Sequence, residues 1–128
     1  MKNNFTNYSE ALALKELGFD EQCFAFYKNI DKSIVYYSSK PTITQKIIFD
    51  NYNGIKALLF QQAFKFFRDK YRMPSWIEEF NGARVSYHFA INPQGQYKWH
   101  SLDHKLEYNT YEEAELACLY KLIELCKK

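Results

Sequence analysis

The spacing of His100 and His104 is the one most like a metal-binding pair, because on a helix it places two imidazoles on one face. The segment between them is predicted to end a strand, and no third ligand is evident within it. Cys118 lies among the apolar positions of a predicted helix, where a thiol usually packs as a small hydrophobic group. We therefore expect solvent-exposed histidines, no catalytic cysteine, and neither a metal nor a cofactor.

Acidic residues form two clusters in the sequence. Paired carboxylates could act as general acid and general base if the fold placed them in a cleft. These are Glu78-Glu79 and Glu112-Glu113-Glu115. The second lies in the first turn of a predicted helix, where the helix dipole stabilises negative charge. The sequence contains no phosphate-binding glycine loop, no nucleophile elbow and no H-E-x-x-H motif. No catalytic residue is predicted, and we interpret the chain as a non-enzyme.

Basic residues form the most suggestive surface, joining the end of a central helix to the outward face of a hairpin. They are Lys65, Arg68, Lys70, Arg72, Arg84, His88, Lys98 and His100. Tyr71, Trp76 and Trp99 would supply stacking for single-stranded nucleic acid. The structural alternative stays open: Asp69 interrupts the run, cations are favourable near a helix C-terminus, and an antiparallel sheet needs a polar outer face.

Composition predicts one compact domain over residues 1–128, since hydrophobic residues make up 47% and aromatic residues 19%. A net charge of +2 is too small to indicate a polyanionic partner. The three cysteines form no C-x-x-C pair, which is typical of reduced thiols in a cytoplasmic protein. Without a signal peptide or a long apolar run, neither secretion nor membrane spanning is expected.

Similar helix starts occur near both ends of the chain. Asn7 and Thr110 are each followed three residues later by a glutamate, the pattern of a capping box. The first helix is predicted over residues 8–17, with Gly18 left-handed at its end and Phe19 folded back on Leu14.

The last helix is predicted over residues 111–126. Its apolar positions span roughly 200° of the helical wheel, which is wide for a helix lying on one sheet. We expect either a second element of the fold or a partner to cover the excess.

Alternation and turn residues predict the elements between these helices. They are strands over 22–29 and 33–38, a third strand over 42–49, a turn over 50–54, a helix over 55–71, a strand over 83–91, a turn over 92–95 and a strand over 96–102. The order αββ(β)αββα predicts an α+β fold, with three helices on a mainly antiparallel sheet of four to five strands.

Three stretches resemble a family of small uncharacterised proteins common in Bacteroidetes bacteria and in their phages and mobile elements. They are Y-S-E-A-L-A-L-K-E-L-G-F-D-E (8–21), Q-Q-A-F-K-F-F-R-D-K-Y (61–71) and T-Y-E-E-A-E-L-A-C-L-Y-K-L-I-E (110–124). Residues 38–56 match less well, and a lineage-specific role would lie there. The resemblance brings no catalytic residues and no cofactor.

The resemblance implies a small binding protein that modulates a host protein or nucleoprotein machine in the bacterial cytoplasm, such as an anti-CRISPR inhibitor. One alternative is an RNA- or DNA-binding module that uses the basic surface. A second is a homo-oligomeric structural protein whose broad apolar surface closes on itself.

Overall fold

The computed structural model describes residues 4–37, 43–93 and 98–127, without the side chains of 43–45. The described part holds four α-helices and two antiparallel sheets of three strands each, so the α+β class is confirmed. In place of one sheet of four to five strands, the strands divide between two sheets. Contacts divide the chain into two compact units, residues 1–63 and 64–128. The single domain over residues 1–128 stays a prediction.

The first unit contains two helices, one three-stranded sheet and the start of a third helix. Its elements are α1 (Tyr8–Glu16), β1 (Ala25–Tyr27), β2 (Ile34–Tyr36), α2 (Ile43–Asn51), β3 (Ile55–Ala57) and the first residues of α3 (Phe60–Lys70). The strand order is β2-β1-β3. Phe5, Ala25 and Ala57 form a buried cluster in this unit.

The predicted start of α1 is confirmed, and the helix ends at Glu16, one residue before the predicted end. The Asn7 side chain accepts the Glu10 N–H at 2.9 Å, and the Glu10 carboxylate accepts the Asn7 N–H at 2.8 Å, which completes the capping box. At the other end Gly18 has φ 103°, and the Phe19 N–H donates to the Leu14 carbonyl at 3.0 Å. This is the Schellman stop that glycine favours.

The prediction of a strand over 42–49 is wrong, because residues 43–51 form α2. β-Branched residues favour strands only weakly, and tertiary contacts override that preference. Here the Phe49 ring packs edge-on against Phe26 at 5.3 Å, and the Gly54 N–H closes the helix end on the Phe49 carbonyl. The turn begins two residues later than predicted, since Asp50 and Asn51 still belong to the helix.

The third strand of the first sheet is β3, which the sequence assigned to the start of a helix over 55–71. Only residues 60–70 of that range form α3. Ile55 and Ala57 are buried while Lys56 between them is half-exposed, a period of two that fits a strand. Pairing of Ile55 with Tyr27 and of Ala57 with Ala25 fixes the register on β1.

The second unit contains the rest of α3, a second sheet of order β4-β5-β6, and a long helix. Its elements are β4 (Ser75–Asn81), β5 (Val85–Ile91), β6 (Trp99–His100), a 3₁₀ helix (Ser101–His104) and α4 (Tyr111–Cys126). The predicted strand over 83–91 is confirmed over 85–91, which form β5. The strand predicted over 96–102 corresponds to β6 and ends at His100, because residues 101–104 form the 3₁₀ helix. Residues 94–97 lie outside the described part.

β4 was not predicted, because its apolar residues do not alternate regularly. All seven of its residues pair with β5, from Ser75 opposite Ile91 to Asn81 opposite Val85. The long ladder with β5 stabilises this strand where its own sequence pattern is ambiguous.

The predicted bounds of α4 are confirmed, and the Thr110 hydroxyl accepts the Glu113 N–H at 3.1 Å. Six residues of its wide apolar arc are buried: Ala114, Cys118, Leu119, Leu122, Ile123 and Cys126. α4 packs on β4 and β5, and the Cys126 thiol also contacts the Met73 sulfur at 3.7 Å. The fold therefore covers most of the arc. No helix in the described ranges has the length and apolarity to cross a membrane.

Candidate binding face of the second sheet

The two faces of the second sheet have different neighbours. One face lies on α4, where the rings of Tyr87 and Tyr111 meet edge-on. Side chains alternate between the faces of a sheet. The opposite face carries a group of residues that we name the polar face: Trp76, Glu78, Phe80, Ser86, His88, Lys98 and His100.

Glu78 is the centre of the polar face. Its carboxylate accepts the Trp76 indole N–H at 3.1 Å through one oxygen and contacts His100 Nε2 at 2.5 Å through the other. The Leu102 backbone N–H donates to His100 Nδ1 at 3.0 Å. Because Nδ1 must accept this bond, the proton of a neutral His100 lies on Nε2 and points at Glu78.

The pKa of the Glu78 carboxyl lies below its ordinary value. Partial burial alone would raise that pKa, but the hydrogen bonds from Trp76 and His100 stabilise the ionised form and outweigh it. The polar face therefore holds a carboxylate at neutral pH, with both of its oxygens engaged.

His88 is buried, with 1% of its surface exposed, so the prediction that it faces solvent is wrong. Phe80 covers one side of its ring at a centroid distance of 4.5 Å, and the His100 ring lies 6.4 Å away. The Ser86 hydroxyl contacts His88 Nε2 at 3.2 Å, whereas Nδ1 has no hydrogen-bond partner among the described residues. Aromatic neighbours on the same face bury this side chain.

Trp76 and Lys98 form the more exposed part of the polar face. The Trp76 side chain is 38% exposed, and the Lys98 ammonium lies 5.1 Å from its ring centroid. A shallow recess of about 310 Å³ is lined by Lys98, His100, Leu102 and Asp103. A cation over an aromatic ring at the edge of a recess can contact a planar or an anionic group.

The structure brings three of the predicted basic residues onto the polar face: His88, Lys98 and His100. The others lie on α3, in the turn after it, or in the β4–β5 turn: Lys65, Arg68, Lys70, Arg72 and Arg84. Carboxylates offset two of these five charges. Lys65 pairs with Asp69 at 2.6 Å, and Arg84 pairs with Glu107. Part of the positive charge that the sequence suggested is therefore balanced by neighbouring carboxylates.

Trp99 lies on the other face of the sheet, contrary to its expected role in stacking. Its ring stacks between Phe89, at 5.0 Å, and His104, at 4.6 Å. The Lys121 ammonium of α4 lies 4.9 Å from the same ring. His104 is therefore turned away from His100. No group of three or more metal-binding side chains occurs among the residues that the structure describes.

All three cysteines are buried as free thiols. Burial raises the pKa of Cys23 and of Cys118 to about 12, and that of Cys126 to about 11. Because a thiol reacts as its thiolate, these groups are unreactive at neutral pH.

Phe80 is a member of the polar face that sequence reasoning did not select, and Glu78 was considered there only for acid–base chemistry. The only signal for them was the alternation of Trp76, Glu78 and Phe80, which became informative once β4 was paired with β5. Comparisons with protein-family models, curated proteins and solved structures found no match to this chain.

Proposed function

We propose that this chain is a non-catalytic binding protein that binds and modulates a host protein or nucleoprotein machine in the bacterial cytoplasm. It is encoded by a phage or mobile element, and its role is anti-defence, as in an anti-CRISPR inhibitor. The polar face of the second sheet is the proposed contact surface.

The observation that carries this proposal is the pair of exposed aromatic side chains on β4. Trp76 and Phe80 are 38% and 40% exposed, and Glu78 lies between them on the same face. Exposed aromatic residues are typical of the residues that dominate binding energy in protein interfaces.

The position of β4 in the sheet also supports a protein partner. β4 is an edge strand in the order β4-β5-β6, and its seven residues pair with β5 along one side. The other side of an edge strand presents backbone groups that can bind an extended segment of a partner. The unreactive thiols support a role that does not depend on nucleophilic chemistry.

Affinity capture with matched variants tests the proposal. Tagged wild-type protein, the Trp76→Ala/Phe80→Ala double variant and an Ile30→Ala control would each be incubated with lysate of the bacterium that carries the gene. Ile30 is 84% exposed in a turn of the first unit, so it controls for the loss of an exposed hydrophobic side chain. Circular dichroism would confirm that all three are folded.

We expect one protein or complex to be enriched with the wild type and with Ile30→Ala. Its recovery should fall at least roughly tenfold with the double variant, since two interface aromatic residues are each worth over about 1 kcal/mol. Equal recovery with the double variant, or no partner above background, would contradict the proposal.

Nucleic-acid binding is the second candidate, and the Lys98 ammonium over the exposed Trp76 ring is the observation that favours it. Fluorescence anisotropy with oligouridine and oligothymidine at low salt tests this function. Replacement of Lys65, Arg68 and Lys98 by alanine should weaken binding and make its salt dependence less steep. An unchanged affinity in that variant would exclude the basic surface as the site.

Homo-oligomerisation stays a prediction. The apolar arc of α4 suggested it, but six residues of that arc are buried, so less apolar surface is left for a second copy. Light scattering that shows a monomer at high protein concentration would remove it.

A further inference from the structure

A cleft of about 490 Å³ lies between α2 and the first sheet, within the first unit. This volume is in the range of small-molecule sites. Its lining combines two aromatic rings with four charged side chains: Phe49, Tyr37, Lys46, Lys56, Asp20 and Asp50. The cleft shares no residue with the polar face.

The aromatic walls of the cleft are held by a shared neighbour. The Phe26 ring is 1% exposed and packs against Phe49 at 5.3 Å and against Tyr37 at 5.7 Å. Gly54 holds Phe49 from another side, since a Cβ at residue 54 would lie 2.3 Å from the ring. Because their positions are set by packing, the two rings offer a preformed surface to an aromatic ligand.

Two small uncharged groups also line the cleft. They are the Ala25 side chain, which is fully buried, and the Cys23 thiol. Burial raises the pKa of that thiol to about 12, so it stays neutral and behaves as a small hydrophobic group. An aromatic ring can therefore enter without meeting a buried charge.

The charged groups of the cleft carry both signs in equal number. Lys46 and Lys56 supply two ammonium groups, and Asp20 and Asp50 supply two carboxylates. Lys56 pairs with Asp20 at 3.3 Å, but the Asp20 side chain is 97% exposed. The Lys56 side chain is 31% exposed, and its ammonium also donates to the Asp20 backbone carbonyl at 3.2 Å. Because the carboxylate lies in water, the ion pair contributes little stability and can exchange for contacts with a ligand.

We propose that this cleft binds a small aromatic zwitterion, of which a free aromatic amino acid is the simplest example. The ligand ring lies against Phe49 and Tyr37, its carboxylate meets the lysine ammonium groups, and its ammonium meets the aspartate carboxylates. A simple anion such as phosphate would gain from the lysines but would be opposed by the aspartates. Balanced charge thus selects a ligand that carries both signs.

Isothermal titration calorimetry with defined probes tests this inference. The probes are L-phenylalanine, L-tyrosine and L-tryptophan, together with 3-phenylpropionate, which lacks the ammonium, and phenethylamine, which lacks the carboxylate. We expect at least one of the amino acids to bind. Each phenylalanine analogue should bind about tenfold more weakly than L-phenylalanine, because it loses one charge-assisted contact.

Two substitutions on the exposed side of α2 separate the charges without disturbing the core. Lys46→Met should weaken amino-acid binding severalfold but should not weaken phenethylamine binding, because the cationic probe loses a repulsive neighbour. Asp50→Asn should weaken phenethylamine binding but not 3-phenylpropionate binding, for the same reason with the opposite sign. Lys32→Met, in the turn between β1 and β2, is the matched control and should change nothing. Absence of binding by all three amino acids, or equal affinity for amino acids and both analogues, would overturn the inference. These outcomes are independent of partner capture, which uses variants of β4.

Discussion

The two sheets have the same number of strands and the same antiparallel pairing, but their charged side chains have different surroundings. In the first unit, Lys46, Lys56, Asp20 and Asp50 surround a cleft, and the one ion pair among these residues that the structure describes is largely exposed. In the second unit, Glu78 and His100 lie on a sheet face and hydrogen-bond each other across the strands.

The number of charges in a sequence therefore does not show how many of them are available to a ligand. The basic residues of the second unit drew attention in the sequence, yet His100 faces Glu78, Lys65 faces Asp69 and Arg84 faces Glu107. The lysines of the cleft are separated in sequence and formed no recognisable run. Whether a charged side chain is available to a ligand depends on which segments the fold places next to it.

The largest expected effect comes from core truncation in each unit. Phe26→Ala in the first and Phe89→Ala in the second should each cost about 3 to 5 kcal/mol of unfolding free energy, because both rings are almost fully buried. Urea denaturation followed by circular dichroism measures this cost.

The same variants test the prediction of a single domain. Both tryptophans, Trp76 and Trp99, belong to the second unit, so tryptophan fluorescence reports on that unit alone. A single cooperative domain requires Phe26→Ala to lower the fluorescence midpoint as much as the circular dichroism midpoint. A fluorescence midpoint that did not move would mean that the units unfold separately.

Gly54→Ala should destabilise the protein by about 1 to 3 kcal/mol, because the added methyl group would overlap the Phe49 ring, which packs on Phe26. Gly82→Ala is the matched control: its Cβ would meet only the Arg84 carbonyl oxygen at 3.9 Å. Chemical denaturation of both variants gives the comparison. Equal stability of the two would mean that Phe49 can move aside, and that the cleft wall is not rigid.

The two helix starts should differ when their caps are removed. Asn7→Ala should cost about 1 to 2 kcal/mol, because the buried Glu10 loses a partner in a reciprocal pair of hydrogen bonds. Thr110→Ala removes one hydrogen bond, to the Glu113 N–H, and should cost about 0.5 to 1 kcal/mol. Thermal denaturation measures both, and a larger loss at Thr110 would contradict this ranking.

The smallest effect concerns the pH dependence of stability through Glu78. Its pKa is lower in the folded protein than in the unfolded chain, so its contribution is complete above about pH 4.5, the ordinary value, and is lost as pH falls through the folded value. Glu78→Gln should therefore be less stable than the wild type at neutral pH, with the difference disappearing in acid. Denaturation across this range tests it, with Glu16→Gln as the control for loss of one exposed carboxylate. A difference that did not change with pH would assign the effect to packing.

Prediction from the sequence succeeded where the signal lies within a few neighbouring residues. Asn7 with Glu10, Gly18 after the first helix, and Thr110 before the last helix all act through backbone groups no more than five residues away. The bounds of α1 and α4 and the strand β5 followed from such signals and from clear periodicity.

Prediction failed where a segment could adopt either structure on its own. Residues 43–51 are rich in β-branched residues but form a helix, while residues 55–57 continue a helical pattern but form a strand on β1. β4 lacked a clear period and exists through its ladder with β5. Intrinsic preferences of well under 1 kcal/mol per residue cannot decide such cases.

The candidate sites also depend partly on local signals in the sequence and partly on contacts between distant segments. Local sequence rules were sufficient for the α+β class, for the helices at the two ends of the chain, and for His88 and His100 as residues of one sheet face. Contacts between distant segments were required to bury His88 beneath Phe80, to set Glu78 against His100, and to bring Lys46 of α2 and Lys56 of β3 around one cleft. The physical reason is that capping and periodicity depend on residues close together in the sequence. Burial and charge pairing depend on which distant segments the fold places next to each other.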